Sequence, residues 1–394
     1  MKFTNAIALI LLALGLRAQE LPKVSIQGFV YIDKNNNGLH ESNEQGIPGV
    51  QVSDQEVIVS TDKNGFYRFE SENTRGYVFA IQPNGYLMKE AFWHTLSKDQ
   101  QKGNYNFPVV QAPKSNSFTF VHASDTHLSQ QSLTRLEKLR SMVDSLKPAF
   151  MIVTGDLVKD ALRVSEKEAT TLYEMYVREI GKFSVPVWNV PGNHEIFGIE
   201  RHKSLVSEGH PLYGKKMYRH YLGPDFYSFT YGGIHFIGLN SVDYHDLWYY
   251  GNIDSTQLNW IKRDVSFVDS STPVITFNHI PFFSGGLSMM EYTDGEPGSS
   301  LITIDGKKQH RHVVTNAPAV FEILKNHNYP IALAGHFHAA QKFTLDSGDP
   351  KTEFHQTAAI VGPNEEAGFK LPSGFILYTV TNGKITDRKF IKMK

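Results

Sequence analysis

The sequence predicts a mixed α/β (α+β) protein, a small β-sandwich followed by a layered α/β domain, and three observations carry that expectation. Between residues 24 and 107, short alternating strands are broken by turn clusters, and no helical period of useful length occurs. Beyond residue 117, apolar strands alternate with amphipathic helices. A polar, proline-containing joint, Ala112-Pro113-Lys114-Ser115-Asn116-Ser117, separates the two regions.

In chain order, residues 1–18 read as a signal peptide. Lys2 gives a positive start, residues 6–16 are an apolar run, and Ala18 is a small residue ahead of Gln19 and Glu20. That run is shorter than the roughly 20 apolar residues a membrane span needs, so cleavage and periplasmic or extracellular residence are expected. No later stretch approaches transmembrane length. Residues 22–110 form the expected N-terminal β-sandwich, with strands near 28–32, 50–52, 57–60, 65–69 and 78–81. Residues 117–345 form the α/β domain. Residues 346–394 form a C-terminal β extension, with strands at 374–380 and 385–391 around an Asn382-Gly383 hairpin.

Composition narrows the function classes. Lys and Arg number 39 against 40 Asp and Glu, a net charge of −1, which provides no overall attraction to nucleic acid or anionic lipid. The chain has no cysteine, excluding a thiol nucleophile, thiolate zinc sites and disulfides. Any metal must be held by nitrogen and oxygen.

One loop of the β region carries candidate chemistry. Asp33, Asn35, Asn37, Gly38 and Glu44 fit the spacing D-x-[DN]-x-[DN]-G-x5-E, which wraps oxygen ligands around one Ca²⁺ while the glycine takes the sharp turn. The preceding residues 29–32 read as strand, so the expectation is a calcium loop on a β scaffold, with an Asx-rich turn as the other reading. Residues 28–52 resemble the calcium-binding B-type repeats of bacterial surface adhesins, and Thr61-Asp62-Lys63-Asn64-Gly65-Phe66-Tyr67 resembles a transthyretin-like module.

In the α/β region, five apolar strands each run into residues able to bind metal. Residues 117–124 lead to Asp125-Thr126-His127, residues 150–154 to Gly155-Asp156, and residues 185–190 to Gly192-Asn193-His194-Glu195. Residues 274–277 lead to Asn278-His279, and residues 331–333 to Gly335-His336-Phe337-His338. Carboxyl ends of strands in α/β sheets converge on one crevice. Asp125, His127, Asp156, Asn193, His279, His336 and His338 are too many donors for one open divalent site, and they fit two if one carboxylate bridges. Two metals about 3.5 to 4 Å apart can clamp a phosphoryl group and turn a bridging water into hydroxide near neutral pH. Mixed N/O ligation suits Mn²⁺, Fe, Zn²⁺ or Co²⁺. Glycines 155, 192 and 335 let backbone crowd the site.

The order D-x-H, G-D, G-N-H-E, N-H and G-H-x-H resembles the signature of the calcineurin-like metallophosphoesterases from about residue 117 to 345. The resemblance implies a four-layer αββα sandwich, a two-metal phosphoesterase and a small-molecule phosphate ester as substrate. It places Asp125, His127 and His338 on one metal, Asn193, His279 and His336 on the other, and Asp156 between them. It makes His194 the acid or hydrogen-bond donor at the leaving oxygen. Related purple acid phosphatases carry Gly-Asp-x-x-Tyr where this chain has Lys159, so a divalent pair is expected rather than tyrosinate-bound ferric iron. Residues 201–231 and the aromatic run 244–250 read either as a lining of the pocket mouth or as loops packed over the sheet edge. The glycine-rich insert 282–306 is expected as a lid. Two other readings are a calcium-dependent surface-binding or adhesion protein with an inactive phosphoesterase-like domain, and a secreted nuclease.

Overall fold

The computed structural model describes residues 23–394 apart from 73–74, 97–101, 114, 116, 291–292, 294–298, 347–350 and 367. The expected signal peptide, Lys114 and Asn116 of the joint, and Gly295 and Gly298 of the insert lie outside the described residues.

The N-terminal region folds as two sheets. One runs Phe66–Ser71, Val24–Ile32, Phe107–Gln111, Tyr86–Met88, with Lys102–Asn104 also pairing to Val24–Ile32. The other runs Ile58–Ser60, Gln51–Ser53, Tyr77–Ala80, Trp93–Thr95. Period-2 alternation in Val24–Ile32 turns Ile26 and Val30 inward, where they meet Val52, Tyr67, Val78 and Phe107. Burying each such side chain contributes about 1.5 to 3 kcal/mol. The five strands read from sequence are present. Among the described residues four further short ones went unread, and Lys102–Asn104 shows why, since Lys-Gly-Asn has no apolar residue to alternate.

Two sheets face each other in the α/β domain. The first is ordered Val187–Val190, Phe150–Thr154, Ser117–Ala123, Gly374–Thr381, Lys384–Lys392, and its first three strands are parallel. The second is ordered Tyr227–Tyr231, Ile234–Gly238, Val274–Phe277, Ile331–Ala334, Thr352–Gln356, Gln341–Leu345. Aromatic side chains lock the faces together. Trp188 stacks on Phe229 at 4.0 Å, and Phe120 meets Phe236 edge-on at 5.6 Å. Helices form the outer layers of an αββα sandwich. Glu166–Ile180 is capped by the Ser165 side chain, which accepts from Glu168 N, and it buries Ala169, Leu172, Tyr173 and Tyr176. Ser255–Asp264 is capped in the same way by Asp254.

The C-terminal extension completes both sheets. Gly374–Thr381 pairs antiparallel with Ser117–Ala123, and Thr352–Gln356 pairs parallel with Ile331–Ala334. The hairpin at Asn382-Gly383 takes positive φ at both residues, 51° and 71°, as a type I′ turn requires.

The β region docks on the α/β domain through a shared core. The Trp260 ring lies 6.2 Å from Phe79 and 5.5 Å from Phe226, and its Nε1 donates to Ser53 Oγ at 3.0 Å. Thr230 N donates to Gln82 O at 2.8 Å. Beneath lies buried Asp225, accepting from Arg219 and Asn240 at 2.9 Å each. Burial opposes its ionisation, yet the Arg219 guanidinium holds its carboxyl well below the usual range.

Candidate metal centre

Five strand ends deliver the donors, three from the first sheet and two from the second. Beyond three of these ends the backbone turns sharply. Asp125, His127, Asp156, His336 and His338 all have positive φ, between 38° and 74°, a region that costs about 1 to 3 kcal/mol for a residue with a Cβ and concentrates at functional sites. Cross-bonds hold these turns: Asp125 N donates to Gly155 O at 3.0 Å, His127 N to Asp156 O at 2.9 Å, and His336 N to Asp125 Oδ2 at 3.2 Å. Two glycines make the convergence possible. Gly155 has φ 80°, and a Cβ on Gly192 would stand 2.2 Å from Asp156 Oδ1.

The seven expected ligands sort into two donor groups. In one, His279 Nε2 lies 3.0 Å from Asn193 Oδ1, 3.1 Å from His336 Nδ1 and 3.2 Å from Asp156 Oδ1. His279 Nδ1 faces Thr154 O at 2.8 Å and must donate to it, which leaves Nε2 as a lone pair in the neutral ring. Acceptor therefore faces acceptor, a spacing that calls for a proton or a cation among them. Ligands held about 2.0 to 2.2 Å from one ion stand about 3 Å apart, so the group fits a metal.

In the other group, His338 Nε2 lies 3.2 Å from His127 Nε2 and 3.3 Å from Asp125 Oδ1. Asp125 is fully buried and its Oδ1 has no hydrogen-bond partner, an orphaned acceptor that a cation would satisfy. Asp156 belongs to both groups, its Oδ1 turned to His279 and its Oδ2 3.5 Å from His127 Nε2.

Burial and neighbouring charges set the protonation of these donors. Burial holds His127 at about 4, so its nitrogen is a free lone pair at neutral pH. Burial and the neighbouring His279 and His312 rings keep His336 well below its ordinary value. Burial also opposes charge on Asp156 and His279, but their mutual attraction prevails: Asp156 sits well below the carboxylate range and His279 is lifted to about 9, so a proton holds the place between these acceptors and a metal there displaces it.

His194 borders both groups. Its backbone N donates to Asp156 Oδ1 at 3.0 Å, its Nδ1 contacts Lys159 O at 2.6 Å, and its Nε2 lies 3.9 Å from Asp156 Oδ2. Glu195, buried, does structural work by accepting from Leu157 N at 2.8 Å, Val158 N at 3.0 Å and Gly192 N at 2.6 Å.

Around the centre, the aromatic run forms the hairpin Val242–His245 and Trp248–Gly251. Tyr249 lies 6.3 Å from His336 by ring centroids, whereas Tyr244 turns away to pack beside Tyr213 at 6.0 Å. Residues 201–231 contain helices Arg201–Ser204 and Lys216–Leu222. In the insert, Gly285–Met289 is a 3₁₀ turn and Leu301–Ile304 pairs with Lys307–His310. His312 follows that hairpin and contacts His336 at 2.7 Å. Sequence reasoning missed it because no apolar strand precedes it.

The candidate calcium loop lies in the β region. Asp33 is 3% exposed, with Oδ2 paired to Lys89 Nζ at 2.8 Å and Oδ1 buried without a hydrogen-bond partner. Glu44 accepts from Lys34 N and Glu41 N, Asn35 Oδ1 from Asn37 N, and Asn37 Oδ1 from Leu39 N.

A layered α/β sandwich with two adjoining N/O donor groups defines a candidate dinuclear metalloprotein. The chain belongs to the calcineurin-like phosphoesterase family, whose model matches residues 118–340, and residues 34–112 match the model of that family's N-terminal region. It is 24% identical over 162 residues to the serine/threonine-protein phosphatase CPPED1 of Bos taurus, covering 40% of this chain and 47% of that one. It is 27% identical over 111 residues to the manganese-dependent ADP-ribose/CDP-alcohol diphosphatase of Xenopus tropicalis, covering 27% and 32%. Serine-aspartate repeat-containing protein C of Staphylococcus aureus is 37% identical over 86 residues, 20% of this chain and 9% of that one. The chain thus spans less than half the length of these curated relatives. A solved dimetal phosphatase from Danio rerio aligns at 15% identity over 70% of this chain and 99% of its own, with a TM-score of 0.44.

Proposed function

We propose that this protein is an exported phosphoesterase that hydrolyses a phosphomonoester or phosphodiester of a small molecule at a dinuclear divalent metal centre. The observation that carries the reading is Asp156, whose two oxygens face two separate groups of nitrogen and oxygen donors. Asp125, His127 and His338 would hold one metal, Asn193, His279 and His336 the other, with Asp156 shared. Bound there, divalent metals supply Lewis acidity toward a phosphoryl oxygen and acidify a water to near-neutral pKa. Lys159 stands where a tyrosinate would favour ferric iron, which supports a divalent pair from Mn, Fe, Zn or Co. The Lys159 carbonyl accepts from His194 Nδ1, leaving Nε2 toward the centre, where the imidazolium form would donate to a leaving oxygen. Lys2, the apolar run 6–16 and Ala18 support export. No helix among the described residues is long and apolar enough to cross a membrane.

Chelation should abolish hydrolysis, and Mn²⁺ or another divalent transition metal should restore it. Elemental analysis beside paired assays on an aryl phosphate and a bis-aryl phosphate measures both metal content and ester class. Full activity in protein shown to be metal-free would end the two-metal reading.

The β-region loop is a second proposal, a weak Ca²⁺ site with Asp33, Asn35, Asn37 and Glu44 as ligands. The orphaned Asp33 Oδ1 supports it, while the Lys89 ammonium already neutralises Oδ2, so Ca²⁺ must compete with a tethered cation. Affinity in the range of about 10⁻⁴ to 10⁻³ M is expected, stabilising the β region by linkage. Millimolar Ca²⁺ should raise the melting temperature of wild type but not of Asp33→Ala combined with Glu44→Ala. An unshifted wild-type melt leaves an Asx-rich turn.

A further inference from the structure

His336 turns its Nδ1 toward the group it forms with Asp156, Asn193 and His279. An imidazole that offers a lone pair from Nδ1 carries its proton on Nε2, and in a buried place that proton needs an acceptor. His312 Nδ1 stands 2.7 Å from His336 Nε2. It accepts only if the proton of His312 is on its own Nε2, and that nitrogen lies 3.2 Å from the Ser299 carbonyl oxygen, which can only accept. The chain therefore has one consistent direction, from His336 Nε2–H to His312 Nδ1 and from His312 Nε2–H to Ser299 O. The reverse would aim a proton from His336 Nδ1 into the donor group and set a lone pair of His312 against the carbonyl oxygen.

The anchor of this relay is itself held. Arg311 Nη1 also donates to Ser299 O at 3.3 Å, and its Nε donates to Tyr249 O at 3.2 Å. Its guanidinium lies over the Trp248 and Tyr249 rings at 5.2 and 4.7 Å. Ser299 and His312 flank the hairpin formed by Leu301–Ile304 and Lys307–His310, so the base of this hairpin reaches the centre as a brace.

We propose that His312 is a positioning residue for the metal held by His279 and His336: it fixes His336 in the tautomer and orientation that present Nδ1, with Ser299 O fixing His312 in turn. The inference rests on the two-metal reading above. Partners of ligating histidines typically change metal affinity by about 10- to 100-fold when lost.

The test follows metal content rather than turnover. Wild type, His312→Ala and His312→Asn are loaded with Mn²⁺ and titrated with a chelator, and stoichiometry and melting temperature are recorded. Asparagine at this position carries an oxygen that can replace the Nδ1 acceptor. His312→Ala should keep one metal at wild-type affinity and hold the other about 10- to 100-fold more weakly, and His312→Asn should recover most of that loss. Two metals held as tightly in His312→Ala as in wild type overturn the inference and leave the two-metal reading standing. Equal weakening in both variants, with equally lowered melting temperature, also overturns it, since bulk rather than an acceptor would then be what His312 supplies. A wild type that binds fewer than two metals removes the two-metal reading and this inference together.

Discussion

Asp156→Ala should lose bound metal and activity together. Its Oδ1 lies 3.2 Å from His279 Nε2 and its Oδ2 3.5 Å from His127 Nε2, so one carboxylate supplies an anion to both donor groups. Removing it leaves clustered imidazoles without the charge that offsets a divalent ion, and a cation there would be less favourable at both positions. Lewis acidity contributes several kcal/mol to a transition state, so kcat/KM should fall by on the order of 10³-fold or more. Elemental analysis of purified protein is the decisive measurement, with less than one equivalent of metal expected. Asp156→Asn keeps the shape and one carbonyl oxygen, and should retain more metal than the alanine variant. Two tightly held metals in Asp156→Ala would show that the shared carboxylate is not the bridge.

The convergence of the seven expected donors was legible because each follows an apolar strand, and a strand end is a place where topology, not neighbouring sequence, decides what meets what. Asp125 and His336 are far apart in the chain yet share a hydrogen bond of 3.2 Å, as two sheets packed face to face bring their carboxyl ends together. Sequence carried no comparable sign for His312. It follows Lys-Lys-Gln-His, a polar edge hairpin whose alternation reveals no buried face, and its importance lies in a contact with one ligand. Lys89 was illegible for a similar reason, since the loop pattern from Asp33 to Glu44 specifies oxygen donors and says nothing of a cation arriving from just past the strand Tyr86–Met88. Residues 374–392 read as a β extension by their hairpin turn, but pairing with Ser117–Ala123 is long-range and left no periodic trace.

His194→Ala should keep both metals and the fold yet lose turnover, in contrast to Asp156→Ala. Lys159 O accepts a hydrogen bond from Nδ1 at 2.6 Å, so Nε2 is the nitrogen presented to the centre. With Nδ1 donating to the carbonyl, Nε2 donates only when the ring is the imidazolium, and it lies 3.9 Å from Asp156 Oδ2. A positioned proton donor contributes about 10² to 10⁴ in rate, and its value depends on the leaving group. An alkoxide of high pKa needs the proton as the P–O bond breaks, whereas a nitrophenolate of low pKa departs unaided. The loss in His194→Ala should therefore approach the upper end of that range on alkyl phosphates and shrink toward unity on nitrophenyl phosphate. The slope of log kcat/KM against leaving-group pKa should accordingly be steeper in the variant than in wild type. Equal losses on good and poor leaving groups would mean that His194 orients phosphate rather than donating a proton. Loss of metal would place it among the ligands, beside His127 and Asp156, with which it already shares a cluster of potential donor atoms.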